Sequence, residues 1–380
     1  MRFATEGVLI QHGAEGQVMA ALALLAGTPK KSFEKGLPKP EDLLAGAGLD
    51  KAGILPALEE LKENKNSLIL LTIPPGRNCQ SEQWARTVGL LAAATKSKVL
   101  PLFTYGGSAG GLAVSQALEL SSPATWWEAA RQGVFSTVLI AGADPVGILP
   151  KENVEPALKK IGCVIAASAM PSATTRRADI ILPMSFWFEM EGKLIDYQGN
   201  SLTMRALAKP PGAAISLVSL VNVLAEKMEV DRVKPVQINW SEVFNKIGNA
   251  RTSALPVPSP PLEESEEVFV LTSRTENLDL YEGPLSRQLD WVLSLEPIPA
   301  VWFNPGDASR MKLRERDEVR ISRNGTSIML SARTNHAVPR HTAAVSATLA
   351  ETRDLWTWQC EETGPTSGPA LVTVSPTTVE

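Results

Sequence analysis

Cysteine and histidine are scarce in this sequence, and their scarcity excludes the common kinds of metal centre. The 380 residues include three histidines and three cysteines, and none of the cysteines belongs to a CxxC or CxxxC group. Those cysteines are Cys79, Cys163 and Cys360. Iron–sulfur clusters and zinc sites need several such ligands, usually with close spacing in the chain. We therefore expect no metal site in this chain and no cofactor of its own.

The sequence also lacks long apolar runs and an excess of positive charge. No apolar stretch approaches the roughly 20 residues of a membrane-spanning helix, so direct membrane insertion is not expected. The formal net charge is −4, whereas nucleic-acid-binding proteins concentrate positive charge on one face, so a nucleic-acid partner is not expected. Few thiols and no signal peptide predict a cytoplasmic protein, with any membrane association made through partners.

Apolar runs alternate with helical patterns through the first 228 residues. The runs that predict strands are residues 68–73, 98–103, 137–142, 163–168 and 180–182. Strand, helix, strand in this order implies right-handed crossovers and a parallel sheet. The nearly continuous apolar run at 68–73 is typical of a strand that is buried on both faces. The largely polar stretch 28–50, with three prolines, predicts an excursion over the surface.

The composition changes after residue 228 and marks a boundary. Four prolines between residues 256 and 261, followed by four glutamates up to residue 267, predict a stiff linker. Short β-rich runs follow, and Asn324-Gly325 between two of them is a strong hairpin signal. We therefore expect an α/β region at 1–228, a Pro-rich and acidic linker at 229–267 and a β-rich region with a tail at 268–380.

Residues 173–200 carry the most specific pattern in the chain. In order, the pattern consists of Thr175, Ala178, Asp179, Ile180, Ile181, Leu182, Pro183, Glu189, Glu191, Gly192 and Gly199. A carboxylate in the loop after a strand, with glycines that let the backbone approach a ligand, is typical of a site at the edge of an open α/β sheet. The alternative is a surface loop that needs two turns.

The order of these residues resembles the molybdopterin oxidoreductase family, in which this segment runs along a bound pterin dinucleotide. The resemblance is closest to the molybdopterin-like part of the NADH-quinone oxidoreductase G subunit, the large peripheral-arm subunit, without its N-terminal iron–sulfur domains. The family usually has Thr, Asn and Arg where this chain has Lys193, Asp196 and Asn200. The resemblance therefore implies retained turns with altered polar contacts to a cofactor.

Two further strings extend the resemblance. Gly142-Ala143-Asp144-Pro145 resembles the family's Gly-x-Asn/Asp-Pro turn at the carboxyl end of a strand, although Asp before Pro is also a common turn starter. Asn304-Pro305-Gly306-Asp307-Ala308 resembles the family's C-terminal double-psi β-barrel, which caps the dinucleotide. There the usual Gly-Asp and Pro-Gly pairs are Arg316-Asp317 and Pro339-Arg340 in this chain. The candidate cofactor-binding residues implied are Asp144, Glu191, Gly192, Asn304 and Asp307.

The glycine-dense loop at 105–111 has two interpretations as well. Its backbone amides would suit a phosphate, or its glycines would only supply positive φ in a turn.

The resemblance implies three functions. The first is a degenerate, non-catalytic structural subunit of an electron-transfer complex of the NADH dehydrogenase, hydrogenase or formate dehydrogenase type. Its partners would be iron–sulfur subunits together with flavin/NADH-type or hydrogenase-type subunits. The second is an active molybdenum or tungsten oxidoreductase subunit that binds molybdopterin guanine dinucleotide. The third is a metal-free B-type subunit of a formyltransferase/hydrolase complex, which the attached C-terminal barrel argues against.

Overall fold

The computed structural model describes residues 7–8, 10, 13–64, 66–72, 81–102, 107–108, 110–111, 114, 123–196, 200–232, 255, 267–274, 289–295, 299–346, 349–361, 364–368 and 370–377. Tyr105, Gly106 and Ala109 of the glycine-dense loop, the Pro-rich and acidic stretch at 256–266, Cys79 and Gly199 lie outside the described residues.

The first part of the chain alternates helices and strands. In chain order these are α1 (Glu15–Leu25), α2 (Pro40–Gly46), α3 (Leu55–Glu63), β1 (Leu68–Thr72), α4 (Ser81–Thr95), β2 (Lys98–Leu102), α5 (Pro123–Gln132), β3 (Thr137–Ala141), α6 (Pro145–Ile148), α7 (Lys151–Lys159), β4 (Cys163–Ser168), β5 (Ile180–Pro183), β6 (Gly192–Ile195), β7 (Ser201–Met204) and α8 (Leu217–Lys227). Short 3-10 helices occupy Lys30–Ser32, Thr175–Arg177 and Trp187–Glu189.

Five strands of this region pair in parallel, as the sequence predicted, whereas β6 and β7 form an antiparallel pair. β1 pairs with β2, and β4 lies between β3 and β5. Apolar helices cover them: α1 packs against α2 and α4, while α5 and α7 form a second cluster around Trp127 and Val154. Polar side chains that follow β3, β4 and β5 therefore emerge at one edge of the three-stranded sheet.

Two expectations about burial were wrong. Leu68 and Leu70 on β1 are 50% and 57% exposed, because β1 pairs only with β2 among the described strands and its outer face is uncovered. The stretch 28–50 is no surface excursion, because four of its apolar side chains fill the core between α1 and α4. These are Phe33, Leu37, Leu43 and Leu44.

The second part of the chain forms a closed barrel. Its elements are β8 (Val268–Arg274), α9 (Asp290–Leu295), β9 (Ala300–Phe303), α10 (Pro305–Arg310), β10 (Glu318–Arg323), β11 (Thr326–Thr334), β12 (Thr342–Ser346), the 3-10 helix Ala350–Leu355, β13 (Thr357–Glu361), β14 (Gly364–Gly368) and β15 (Ala370–Pro376). The barrel order is β10-β11-β9-β12-β8-β15, with parallel and antiparallel pairs.

The barrel interior and its hairpin follow from the sequence pattern. Alternate strand residues such as Phe269, Phe303 and Ile321 are fully buried in its core, as the period of two requires. Asn324 and Gly325 have φ of 49° and 80°, which confirms the predicted hairpin turn between β10 and β11.

The segment that joins the two parts touches the α/β region. Leu255 is buried, its N–H donates to Ser32 O at 2.9 Å, and its carbonyl accepts from Glu34 N–H at 2.8 Å. This residue of the predicted linker is therefore anchored on the first core. Among the described helices, none combines the length and apolarity needed to cross a membrane.

Candidate functional site

Asp144 caps the short helix that follows β3. Its Oδ1 accepts hydrogen bonds from Gly147 N–H at 3.2 Å, Thr174 N–H at 2.8 Å and Thr174 Oγ1 at 2.6 Å. The buried Thr174 Oγ1 also accepts from Val146 N–H at 3.1 Å. A carboxylate at an N-cap satisfies helix N–H groups that have no partner inside the helix. Asp144 thus joins the loops after β3 and β4.

Thr175 and Asp179, two polar residues of the family pattern, also bond within the fold. Thr175 Oγ1 donates to Ser172 O at 2.9 Å and accepts from Ser172 N–H at 2.7 Å, which closes the loop. Asp179 Oδ2 accepts from Val164 N–H at 2.7 Å and links the starts of β4 and β5. These two residues shape the backbone here.

The predicted acidic pair occupies two different environments. Glu189 Oε2 accepts from Phe186 N–H at 2.9 Å across the 3-10 helix Trp187–Glu189, whereas Glu191 is exposed. Gly192 begins β6, and a methyl group built on it would meet Met204 Cε at 3.5 Å, an ordinary contact. Neither crowding nor positive φ therefore requires glycine at position 192.

Two positions that depart from the family pattern contact each other. Asn200 N–H donates to Asp196 Oδ1 at 2.8 Å, and Asn200 Nδ2 donates to Asp196 Oδ2 at 3.0 Å. The pair closes the hairpin between β6 and β7. The substituted side chains therefore bond to each other across the connection from β6 to β7, whose residues 197–199 lie outside the described ones.

Asn304 caps α10 in the barrel region. Its Oδ1 accepts from Gly306 N–H and its Nδ2 donates to Val338 O, both at 2.9 Å. In the sequence, Asn304 was a candidate only through the family resemblance. In the structure the amide uses both of its ends to tie α10 to the loop before β12.

Asp307, on α10, is a fully buried carboxylate. Its Oδ1 accepts from Arg340 Nε at 2.8 Å, and its Oδ2 accepts from His341 N–H at 2.7 Å. Arg310 Nη2 lies 3.7 Å from Oδ1. A methyl group built on Gly306 would lie 2.6 Å from Arg340 Nη1. The Arg340 guanidinium therefore packs directly over the Gly306 backbone.

The sequence-predicted residues form separate groups. Asn304 and Asp307 lie together at the start of α10, while Asp144 lies with Thr174 at the edge of the sheet. Among the residues that the structure describes, no hydrogen bond or ion pair connects Asp144 to Glu191 or to Asn304. In the same ranges, no group of three or more His, Cys, Asp and Glu side chains could hold a metal ion.

Sequence reasoning missed the roles of Thr174 and Arg340. Thr174 lies 30 residues from Asp144, and Arg340 lies 33 residues from Asp307. The only signal was indirect: the replacement of the family's Pro-Gly by Pro339-Arg340 marked Arg340 as unusual. The contact between Arg340 and the buried Asp307 is known only from the structure.

Comparison with known proteins identifies the first region. Residues 48–227 match the model of the molybdopterin oxidoreductase family. The chain carries a molybdopterin oxidoreductase domain. The chain is 23% identical over 232 residues to the alpha subunit of F420-dependent formate dehydrogenase from Methanocaldococcus jannaschii, a match that covers 49% of this chain and 34% of that protein. The G subunit of NADH-quinone oxidoreductase from Streptomyces coelicolor is 27% identical over 107 residues, 27% of this chain and 13% of the relative.

The matches thus span at most about a third of these curated relatives. A solved structure, acetylene hydratase from Pelobacter acetylenicus, shares the fold of the molybdopterin oxidoreductase domain and the barrel. It covers 97% of this chain and 71% of its own, with a TM-score of 0.62 and 14% identity. At that identity the likeness concerns the fold alone.

Proposed function

We propose that this chain is a structural subunit of a multi-subunit electron-transfer oxidoreductase complex, without a catalytic centre of its own. Relatives of its molybdopterin oxidoreductase domain are named as subunits of formate dehydrogenase and NADH-quinone oxidoreductase. The complex would be of that type or of the hydrogenase type. Within it, the chain would hold an iron–sulfur partner in position, next to flavin/NADH-type or hydrogenase-type subunits.

One observation carries this proposal: the candidate ligand-binding side chains are used inside the fold. Asp144 Oδ1 accepts three hydrogen bonds, and both polar ends of Asn304 and of Asp307 are bonded. These atoms already stabilise the fold, and a ligand that displaced one of their partners would leave a buried polar group unpaired at a cost of about 1–3 kcal/mol.

The position of Arg340 adds steric evidence to the evidence from these hydrogen bonds. Glycine at a ligand site lets the backbone come close to the ligand, but the guanidinium of Arg340 lies over Gly306 and pairs with Asp307. The residues present therefore do not fit a pterin dinucleotide gripped by Asn304 and Asp307. Glu191 is exposed and remains the candidate whose carboxylate faces solvent.

Exposed apolar side chains support a role in assembly. Ile180 and Ile181, neighbours on β5, are both largely exposed although they point to opposite faces of the sheet. On α8, Leu217, Val218 and Val223 are exposed as well. Apolar side chains mark contacts with other proteins where they form a contiguous patch, and we propose that these side chains do so in the assembled complex. We assign them to the iron–sulfur partner.

The finer features of the fold belong to the same proposal. The barrel would be of the double-psi type, the candidate domains would be 1–228 and 268–380 with the linker at 229–267 between them, and Asp144, Glu191, Gly192, Asn304 and Asp307 would be remnants of a cofactor site. The protein would work in the cytoplasm, attached to a membrane through partners, without nucleic acid.

The test is to purify the native assembly and measure molybdenum, tungsten, iron and released pterin per copy of this chain. Iron without molybdenum, tungsten or pterin supports a structural subunit beside a cluster-bearing partner. One pterin with one metal per chain overturns the proposal in favour of the active oxidoreductase that binds molybdopterin guanine dinucleotide. Neither iron nor pterin, together with formyl-transferring partners, would instead support the formyltransferase-type complex.

A further inference from the structure

A short segment of the barrel region reaches the α/β region. The 3-10 helix Ala350–Leu355 is fixed in the barrel core by Leu349, Leu355 and Trp356, which are at most 2% exposed. Arg323 on β10 holds its end by donating to Leu355 O at 3.2 Å and Trp356 O at 2.7 Å. Because this segment is anchored at both ends, its outward side chains have a defined direction.

Two charged side chains of that segment bind the backbone of the other region. Asp354 Oδ1 accepts from Lys151 N–H at 2.7 Å, across 203 residues of sequence. Lys151 is the first residue of α7, and no residue at the N-cap of that helix supplies a side-chain cap. An acidic group at a helix N-terminus satisfies an N–H that lacks an intrahelical partner and complements the helix dipole. Asp354 is thus a cap supplied from a distant part of the chain.

Arg353 makes the second contact. Its Nη1 donates to Val146 O on α6, its Nε lies 3.6 Å from Asp354 Oδ2, and its side chain is only 19% exposed. Val146 N–H is already bonded to Thr174 Oγ1, which in turn donates to Asp144. Helix α6 is therefore held on one side by the loop after β4 and on the other by the barrel segment.

We propose that Arg353 and Asp354 form a latch that fixes the barrel against the α/β region and couples its position to the Asp144 turn. Both contacts are made to backbone groups of short helices. They therefore fix the orientation of the barrel segment as well as its distance from those helices. The latch acts beside the packing of α5 against β14, and together they couple the unfolding of the two regions. This inference concerns how the chain is held together and does not rest on the proposed function.

The test uses the full chain with Arg353→Ala, Asp354→Ala and the double substitution. Arg333→Ala is the matched control, because Arg333 is similarly shielded, at 16% exposed, and pairs with Glu315 inside the barrel region. Hydrogen exchange followed by mass spectrometry reports the protection of residues 145–159 and, separately, of β8 and β12.

We expect the double substitution to speed exchange at residues 145–159 at least about tenfold, since hydrogen bonds to charged groups are the stronger ones. Exchange in β8 and β12 should speed up less than exchange at residues 145–159, and calorimetry should resolve two transitions in place of one. Arg333→Ala should leave residues 145–159 unchanged. Asp354→Asn, which keeps a capping oxygen, should retain most of the protection.

Unchanged protection at residues 145–159 in the double variant, with β8 and β12 still protected, would overturn the latch. If the double variant loses protection in the barrel as well, the single substitution Asp354→Ala decides. Faster exchange confined to the first turn of α7 supports the latch, and exchange equal to that of Arg333→Ala refutes it.

Discussion

Replacing Arg340 by alanine tests whether Asp307 is a structural or a ligand-binding acid. The Asp307 side chain is fully buried, and its two oxygens accept from Arg340 Nε at 2.8 Å and His341 N–H at 2.7 Å. After Arg340→Ala, the carboxylate would keep one backbone hydrogen bond and a cation, Arg310, at 3.7 Å. A buried charge that loses its partner is strongly destabilising, because neither water nor protein then compensates it.

The magnitude follows from that geometry. Removing one partner of a fully buried ion pair costs about 3–5 kcal/mol. The Arg340 side chain is 55% exposed, so solvent screens the pair and we expect about 2–3 kcal/mol for Arg340→Ala. Asp307→Asn removes the charge that needs Arg340. The double variant should therefore lose less than the sum of the single variants, with a coupling of about 1–2 kcal/mol.

The assay is hydrogen exchange of the barrel amides in β8 and β12, because it reads protection segment by segment, whereas one denaturation curve gives a single value for the whole chain. Arg320→Ala, an exposed arginine on β10, is the control and should change stability by less than about 0.5 kcal/mol. An effect of Arg340→Ala no larger than that of Arg320→Ala, or strictly additive effects of Arg340→Ala and Asp307→Asn, would refute the reasoning.

Three smaller predictions follow from the same contacts. Thr174→Val should destabilise the α/β region by about 1–3 kcal/mol, because it removes the hydroxyl between Asp144 and Val146; Thr174→Ser should cost clearly less when exchange in β3 and β4 is compared. Asn304→Ala should cost about 1–2 kcal/mol by removing a helix cap, with Asn304→Asp keeping part of it, as read from exchange in α10. Arg316 has φ of 76°, so Arg316→Gly should raise barrel stability by about 0.5–1 kcal/mol, and a loss of melting temperature would contradict this.

The local parts of the fold could be predicted from the sequence. β4 begins and ends at the predicted residues, and the Asn324-Gly325 turn has the expected positive φ angles, because both depend on neighbouring residues. Burial was harder. The exposed Leu70 and the buried Leu43 reverse the expectation from the sequence, since each depends on which distant element covers it.

In the candidate site, too, local features could be predicted from the sequence, whereas contacts between distant residues could not. Asp144 caps a helix where the sequence had a turn signal, and Asn304, which the resemblance singled out, caps another, so the pattern did mark local structure. It could not give the partners of these side chains, because Thr174, Arg340 and Arg353 lie 30 to 207 residues away from the groups they bind. Spacing in the chain carries no information on contacts of that kind.

The long-range contacts of Asp307 affect how an Asp307→Ala variant should be interpreted. Loss of a bound group after that substitution would ordinarily be taken as evidence that the carboxylate is a ligand. Here the substitution also leaves Arg340 and the His341 N–H without their acceptor in the barrel, so the site would be lost through local unfolding even if the acid never touched a ligand. Glu191 is the sharper probe, because its carboxylate is exposed. A stoichiometric pterin that is lost in Glu191→Gln, with exchange in β6 and β7 unchanged, would identify a ligand contact that no local folding defect explains.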